Sequence, residues 1–240
     1  MITKQIKMKM KRFFFLSALF AIVLSAQAQP RQGHFSVIPR IGVNFANITN
    51  NEVVVDLSQQ DHTLKSRMKP GLLAGVDVEY QTTDLLFASL GLQYSMQGSR
   101  YPDFERKEDE LVEGFSDWHT NLGYLNVPLL VGCRITDGFS VKAGVQLGML
   151  LNAKNYMSTT DIIPQEGGGR EQGKAVEQTT DLYDSCKKVD ISIPLAVSYE
   201  FENVILDARY NIGLSRIYEL DLLKSRNSVI QLTVGYRFQL

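Results

Sequence analysis

The residues that could carry out chemistry lie between the apolar stretches of the sequence rather than within them. His62 follows Asp61, and His119 lies two residues after Asp117. A histidine with a carboxylate partner is the acid–base unit of many hydrolases. Single histidines in polar segments are usually solvated, so we expect no catalytic residues and no enzyme. A rim active site built from His62 and His119 is the alternative.

A glycine-rich segment, Gly168 to Lys174, matches most of a phosphate-binding loop. The next residue is Ala175, whereas phosphate binding with magnesium requires serine or threonine there. No strand leads directly into the segment and no helical pattern follows it. We therefore predict a polar loop with no cofactor.

The stretch from Asp103 to Asp117 carries seven acidic residues against Arg106 and Lys107. It could hold divalent ions that bridge lipopolysaccharide. It lacks the spacing of oxygen ligands that a calcium loop needs. A solvated acidic loop without a metal site is therefore expected.

The N-terminal 28 residues have the three parts of a secretory signal. Basic residues precede an apolar run from Phe13 to Leu24, and Ala26-Gln27-Ala28 fits a cleavage site. We predict a signal peptide over residues 1–28, cleaved after Ala28, and a single domain over residues 29–240. Cleavage removes five bases and no acids, which leaves 20 bases against 26 acids. A nucleic-acid partner is disfavoured, because it requires a basic surface.

Apolar and polar residues alternate in eight segments, which predicts strands with one apolar face each. In one of them, the odd positions from Val141 to Leu151 are apolar and the even positions from Lys142 to Asn152 are mostly polar or glycine. Most segments exceed a typical soluble strand and match the roughly 9–11 residues that cross a bilayer. The segments are His34–Asn47, Pro70–Gln81, Leu85–Gly98, Thr120–Ile135, Phe139–Ala153, Val189–Phe201, Val204–Ile217 and Ser228–Gln239.

Short and long connections alternate along the chain. The short ones are Thr82–Asp84, Thr136–Gly138 and Glu202–Asn203, and the long ones are Ile48–Lys69, Ser99–His119, Lys154–Lys188 and Tyr218–Asn227. Paired residues must share a face, so Thr136–Gly138 should be a three-residue loop with Gly138 at positive φ. By the same parity, a two-residue turn at Glu202–Asn203 places Ser198 opposite Asp207 and Ala196 opposite Arg209. The pattern predicts an up-and-down meander with both termini at the short-turn end, which is typical of transmembrane barrels.

The polar face of these strands is rich in glycine and carries charges of both signs. Glycine is kept in strands where bulky groups approach closely, and buried charges persist only when they are paired. A lipocalin-like barrel with its apolar face inside explains the alternation, but neither the glycine nor the loop asymmetry. We therefore predict an all-β fold: an eight-stranded antiparallel up-and-down transmembrane β-barrel with a packed lumen. The odd positions from Val141 to Leu151 should face lipid, and the even positions from Lys142 to Asn152 should face the lumen. The predicted lumen charge network is Arg40, Asp77, Glu79, Arg134, Lys142, Glu200, Asp207, Arg209 and Arg237.

Aromatic residues lie toward many strand ends, where they are expected to form girdles at the two membrane interfaces. The candidates are Phe45, Tyr80, Tyr94, Phe139, Tyr199, Phe201, Tyr236 and Phe238. The two cysteines, Cys133 and Cys186, should lie at opposite rims of the barrel. Both are therefore predicted to be free thiols, since a disulfide cannot span that distance.

Four short motifs carry a resemblance that extends over about His34 to Leu240. They are Tyr124-Leu125-Asn126-Val127-Pro128-Leu129-Leu130, Gly144-Val145-Gln146-Leu147-Gly148, Arg209-Tyr210-Asn211-Ile212-Gly213-Leu214 and Val234-Gly235-Tyr236-Arg237-Phe238. In this order and spacing they resemble the PorT-like outer-membrane β-barrel family of Bacteroidota, which are Gram-negative. The resemblance implies an outer-membrane protein, and some members of the family assist protein secretion. Tyr236, Phe238 and Leu240 also resemble the C-terminal signal read by the barrel-assembly machinery, although a terminal phenylalanine is commoner.

The expected function is structural or interactive: an integral outer-membrane protein whose long loops bind a protein or glycan ligand. Outer-membrane lipid and lipopolysaccharide would surround it. Lys154–Lys188, the longest loop, is the expected contact surface, because specificity tends to lie in loops on a rigid scaffold. Eight strands enclose a space that side chains just fill, so an open pore is not expected. A small gated channel is a further alternative.

Overall fold

The computed structural model describes residues 33–56, 61–108, 111–164, 170–220 and 224–240. The predicted signal peptide and the first two residues of the glycine-rich segment, Gly168 and Gly169, lie outside these ranges. Residues Arg170–Gln172 of that segment form a short strand rather than the predicted loop. Within them are fourteen strands: β1 (Phe35–Thr49), β2 (Glu52–Asp56), β3 (Asp61–Lys65), β4 (Lys69–Gln81), β5 (Leu86–Arg100), β6 (Phe104–Glu108), β7 (Leu111–Arg134), β8 (Phe139–Pro164), β9 (Arg170–Gln172), β10 (Val176–Asp181), β11 (Val189–Phe201), β12 (Val204–Gly213), β13 (Arg226–Tyr236) and β14 (Phe238–Gln239). A 3-10 helix, η1, spans Tyr183–Ser185. Among the described residues, no helix is long and apolar enough to cross a membrane.

Eight of these strands close into a ring. The order is β1, β4, β5, β7, β8, β11, β12 and β13, and each pairs antiparallel with the next. The last strand returns to the first, with Arg40 opposite Gly235 and Asn44 opposite Gln231. β14 continues the pairing with β1 beyond Arg237. The predicted eight-stranded antiparallel up-and-down barrel is confirmed.

The barrel turns its apolar face outward. Leu147, Val197 and Leu206 expose 53%, 45% and 54% of their surface, whereas Lys142 and Arg209 expose 7% and 2%. Such a distribution is the reverse of a soluble barrel and fits lipid contact. All eight residues predicted for the aromatic girdles are at least partly exposed on this surface.

The turns at Thr136–Gly138 and Glu202–Asn203 have the predicted lengths, but the first has a different backbone. After the remaining short turn, β5 begins at Leu86, one residue later than predicted. Ile135 donates a backbone hydrogen bond to Phe139 (2.8 Å), which closes a three-residue loop. Gly138 is not at positive φ, so that prediction is wrong. The position instead lacks room, because an added Cβ would lie 2.8 Å from the carbonyl oxygen of Glu200 on β11. At the other turn Glu202 takes a φ of 56°.

The β11–β12 hairpin has the register that parity requires. Ser198 lies opposite Asp207, and Ala196 lies opposite Arg209. Small side chains therefore oppose large ones on the inner face of this hairpin, as expected where a narrow lumen is filled.

Three long connections predicted as loops are largely strand. Ile48–Lys69 contains the β2–β3 hairpin, and the other two, Ser99–His119 and Lys154–Lys188, contain extensions of the barrel strands. β7 begins at Leu111 and β8 continues to Pro164, and both extend past the segments predicted from alternation. β6, β9 and β10 pair alongside them. Most of these added residues are exposed or half-buried, so apolar alternation gives little signal there. At β12 the error is opposite: the strand ends at Gly213 rather than Ile217.

A bulge in β8 changes which side chains enter the lumen. Gly123 pairs with Asn152 and Tyr124 pairs with Leu150, which leaves Leu151 as the extra residue. Leu150 is buried, whereas Asn152 is exposed. The prediction that Asn152 faces the lumen is therefore wrong, because the bulge shifts the alternation by one residue.

Candidate functional site

Five of the predicted lumen residues form a central charge group. Arg40 Nη2 lies 2.6 Å from Asp77 Oδ2, and its Nη1 lies 3.5 Å from Asp207 Oδ1. Lys142 donates a hydrogen bond to Asp207. Arg209 Nη2 lies 3.8 Å from Asp77 and 3.6 Å from Asp207. Three cations thus share two carboxylates, and all five side chains are buried.

Glycines make room for these long side chains. Arg40 pairs with Gly75 on one side and with Gly235 on the other. Gly91 lies opposite Asp77, and an added Cβ there would lie 2.3 Å from the Asp77 carboxylate. The glycines on the lumen face therefore belong to the same arrangement as the charges.

The other four predicted residues form a second set, the rim group, toward the short-turn end. Glu79 Oε1 accepts hydrogen bonds from Arg237 (2.7 Å) and Arg134 (3.1 Å). Arg237 Nε also donates to Glu200 Oε1 at 2.7 Å. The Arg134 guanidinium lies 5.6 Å from the ring centre of Phe87. Two bases and two acids balance here.

The long-loop end of the lumen is filled by apolar side chains that the sequence analysis did not anticipate. The chain around η1 folds inward with the β12–β13 connection, where Lys187 donates a backbone hydrogen bond to Ile217 (2.7 Å). We call this set the outer cluster: Ile48, Leu122, Tyr124, Leu150, Ala153, Cys186 and Ile217. Leu122, Tyr124 and Leu150 are apolar residues at positions that alternation assigns to the lumen. This exception to the polar pattern could have indicated an apolar cluster inside the barrel.

The two cysteines are free thiols at opposite ends of the barrel. Cys133 pairs with Leu86 next to a short turn. Cys186 lies among the long loops, where its backbone forms an isolated β-bridge with Tyr218. Burial in the outer cluster raises the pKa of the Cys186 thiol to about 11. The Tyr101 hydroxyl nearby donates to the Asn51 carbonyl, and burial raises its pKa to about 12.

Beyond the barrel, β7 and β8 continue into a sheet with β6, β9 and β10, which we call the outer sheet. Aromatic rings line part of it: Phe104 stacks on Phe115 with ring centres 4.7 Å apart, and Tyr101 lies 4.5 Å from Trp118. The sheet carries most of the segment Lys154–Lys188 that was predicted as the contact surface.

The acidic stretch is part of this sheet rather than a separate loop. Arg106 Nη2 lies 2.5 Å from Glu113 across the β6–β7 pair. Arg170 on β9 forms an ion pair with Glu105 on β6 at 3.0 Å. Within the described ranges, no group of three or more His, Cys, Asp or Glu side chains could hold a metal ion.

The two histidines of the alternative enzyme site lie in different elements. His119 Nδ1 is 2.8 Å from the Asp117 carbonyl oxygen and 3.1 Å from its carboxylate. Its ring stacks on Tyr156 at 4.9 Å. His62 lies in β3 opposite Val55, and its side chain lies outside the described part of the structure.

The closed ring, the apolar outer surface and the charged, filled interior define a transmembrane β-barrel, since only helices and closed barrels satisfy the backbone in hydrocarbon. The chain belongs to the family described as outer membrane protein beta-barrel domain, whose model matches residues 26–219. Membership of this family supports an outer-membrane location. No curated protein matches the chain.

Solved structures of similar proteins are distant in sequence. Ail, the attachment invasion locus protein of Yersinia pestis, is 13% identical, with 87% of this chain and 100% of that chain covered and a TM-score of 0.38. Neisserial surface protein A is also 13% identical, with 85% and 97% covered and a TM-score of 0.41. The Pseudomonas putida toluene transporter TodX is 8% identical, with 91% and 93% covered and a TM-score of 0.26. These likenesses are too low to carry an argument about function.

Proposed function

We propose that the protein is a closed, non-enzymatic outer-membrane barrel that holds the outer sheet away from the membrane to bind a partner. The observation that carries this proposal is the filling of the lumen from both sides. Paired charges occupy its middle and short-turn end, and the outer cluster occupies its long-loop end. A barrel filled in this way offers no route for solutes, whereas its outer sheet is accessible.

The proposal includes an orientation in the membrane. The signal peptide would be cleaved after Ala28, both termini would lie in the periplasm, and the outer sheet would face the cell exterior. Lipid and lipopolysaccharide would contact the apolar surface. The alternating Tyr236, Phe238 and Leu240 would be read by the barrel-assembly machinery during insertion. The four sequence motifs that resemble PorT-like proteins favour a role in protein secretion.

Planar bilayers test whether the barrel is closed. We expect no conductance steps from purified full-length protein. Steady single-channel conductance would contradict a closed lumen and would support the gated channel. The variant Asp207→Asn, which weakens the central charge group, tests whether any conductance passes through the lumen.

Crosslinking in intact cells tests partner binding. The segment 157–178, which contains the β8 tip, β9 and part of β10, would be replaced by a short Gly-Ser turn. We expect crosslinked partners to be lost, whereas replacement of the β2–β3 hairpin tip (residues 55–62) should retain them. Equal retention by both variants would contradict binding through the outer sheet.

The enzyme alternative is tested by the double variant His62→Ala/His119→Ala. We expect unchanged cell-envelope lipid and ester profiles, because the proposal assigns these histidines no chemistry. Loss of a hydrolytic or acyl-transfer activity in this variant would overturn the non-enzymatic proposal.

A further inference from the structure

β10 forms one edge of the outer sheet. Within the described part of the chain, the strand order runs from β10 through β8 and the barrel to β6, so β10 has a single sheet neighbour, β8. All six residues of β10 are exposed. A strand with one unpaired edge displays backbone donors and acceptors that can pair with another chain.

The register identifies the backbone groups at this edge. Leu182 donates its backbone N–H to the carbonyl oxygen of Ala153 on β8 at 3.0 Å. The backbone N–H and C=O groups of successive residues in a strand point to alternate sides. Those of Thr180 and Gln178 therefore also point toward β8. Glu177, Thr179 and Asp181 therefore point their N–H and C=O groups away from the sheet.

The two edges of the outer sheet differ in composition. β6 reads Phe-Glu-Arg-Lys-Glu, and charged residues, lysine above all, discourage pairing at an edge. β10 reads Val-Glu-Gln-Thr-Thr-Asp, with no lysine, arginine or proline. Between β9 and β10, at Gly173, Lys174 and Ala175, the register of pairing with β8 shifts by one residue. This irregularity confines the regular free edge to β10.

We propose that β10 binds an extended segment of another protein, which joins the outer sheet as an added strand and carries basic side chains opposite Glu177 and Asp181. The inference rests on the proposed function, since it names the surface and the partner class of the same outer sheet. Strand addition supplies affinity through backbone hydrogen bonds and specificity through alternate side chains.

Charge favours this occupant over a second copy of the chain. An antiparallel pair of β10 strands centred on Thr179 would bring Glu177 of each copy opposite Asp181 of the other. Like charges directly opposite each other destabilise a strand pair. A strand with lysine or arginine at alternate positions would instead meet both carboxylates with opposite charge.

The backbone is tested with the full-length protein in lipid nanodiscs and a fluorescent ten-residue peptide that alternates lysine with threonine or valine. Thr179→Pro removes one outward N–H without removing a bond to β8. We expect it to weaken peptide binding at least tenfold. Thr179→Val keeps the N–H and should bind within twofold of the unchanged protein. Both variants should keep the heat-modifiable electrophoretic mobility of a folded barrel. Equal peptide binding by the folded Pro and Val variants would overturn strand addition.

The charges are tested with the same probe. Glu177→Lys/Asp181→Lys should weaken the lysine peptide at least tenfold and strengthen a matched glutamate peptide. Asp184→Lys, an exposed position on η1 outside β10, is the control and should have little effect. Equal binding of both peptides to unchanged protein would overturn the charge assignment. A dimer that Thr179→Pro dissociates would favour a second copy instead.

The two proposals fail differently. If Thr179→Pro leaves the cellular crosslinks intact while replacement of residues 157–178 removes them, the outer sheet binds its partner without strand addition. The inference about β10 would then be wrong, and the proposed function would stand.

Discussion

The central charge group and the outer cluster fill the same lumen with opposite chemistry. In the middle, Arg40, Lys142 and Arg209 surround Asp77 and Asp207, all within strands of the barrel wall. At the long-loop end, Cys186 and Ile217 come from connections that fold back onto the wall. Buried charges depend on every partner staying in place, whereas apolar contacts tolerate partial loss. The strands of the barrel wall therefore hold the central charge group by themselves, whereas the outer cluster also depends on the connections. We expect the outer cluster to be disrupted without unfolding of the barrel.

The largest expected effect comes from Asp207→Asn. The change removes the carboxylate that Lys142, Arg40 and Arg209 share and leaves three buried cations with Asp77 alone. Loss of one partner from a buried ionic group costs about 3–5 kcal/mol. Urea unfolding of the protein in lipid vesicles measures the change. A loss below about 1 kcal/mol would show that the lumen rehydrates at this point, because water then replaces the lost carboxylate.

The outer cluster is probed with Ile217→Ala. Truncation of a buried isoleucine costs about 2–5 kcal/mol where the site cannot collapse, and we expect the low end because a connection can adjust. The change should also expose Cys186, so its rate of maleimide labelling should rise at least tenfold. Cys133, at the other end, is the internal control and should label at an unchanged rate. Faster labelling of Cys133 together with Cys186 would show that the whole barrel opens, and would contradict local disruption of the outer cluster.

A smaller effect is expected in the rim group. The Glu200 side chain is 20% exposed, against 2% for Asp207. Water can replace part of the lost interaction, and Arg237 retains Glu79, so Glu200→Gln should cost about 1 kcal/mol. The same urea titration measures it. A cost equal to that of Asp207→Asn would remove the distinction between centre and rim.

The smallest expected effect is a pH dependence of stability that arises from Cys186 in the outer cluster. Burial raises the pKa of Cys186 from 9.0 to about 11, so the folded protein holds this proton in a range where the unfolded chain has released it. Stability should therefore fall as pH rises from about 9 to about 11. The melting temperature measures the fall, and Cys186→Ala should make it shallower. An identical slope in both proteins would exclude the thiol as a cause.

The alternation of apolar and polar residues was enough to predict the barrel, because lipid requires an apolar outer face on every strand. Each strand has one face in hydrocarbon, so Leu147 and Val197 stand out from Lys142 and Arg209 even in a single sequence. The parity of side chains then determined the β11–β12 register residue by residue. The nine charges could be assigned to the lumen face for the same reason.

The tertiary structure alone decided which charges meet and what covers them. Alternation reports a face and carries no distance, so it could not separate the central group from the rim group. It also fails where both faces of a strand are exposed, as in β10, and where a bulge shifts the alternation, as at Leu150 and Asn152. The inward fold of Ile217 depends on contacts with distant parts of the chain, which no local pattern contains.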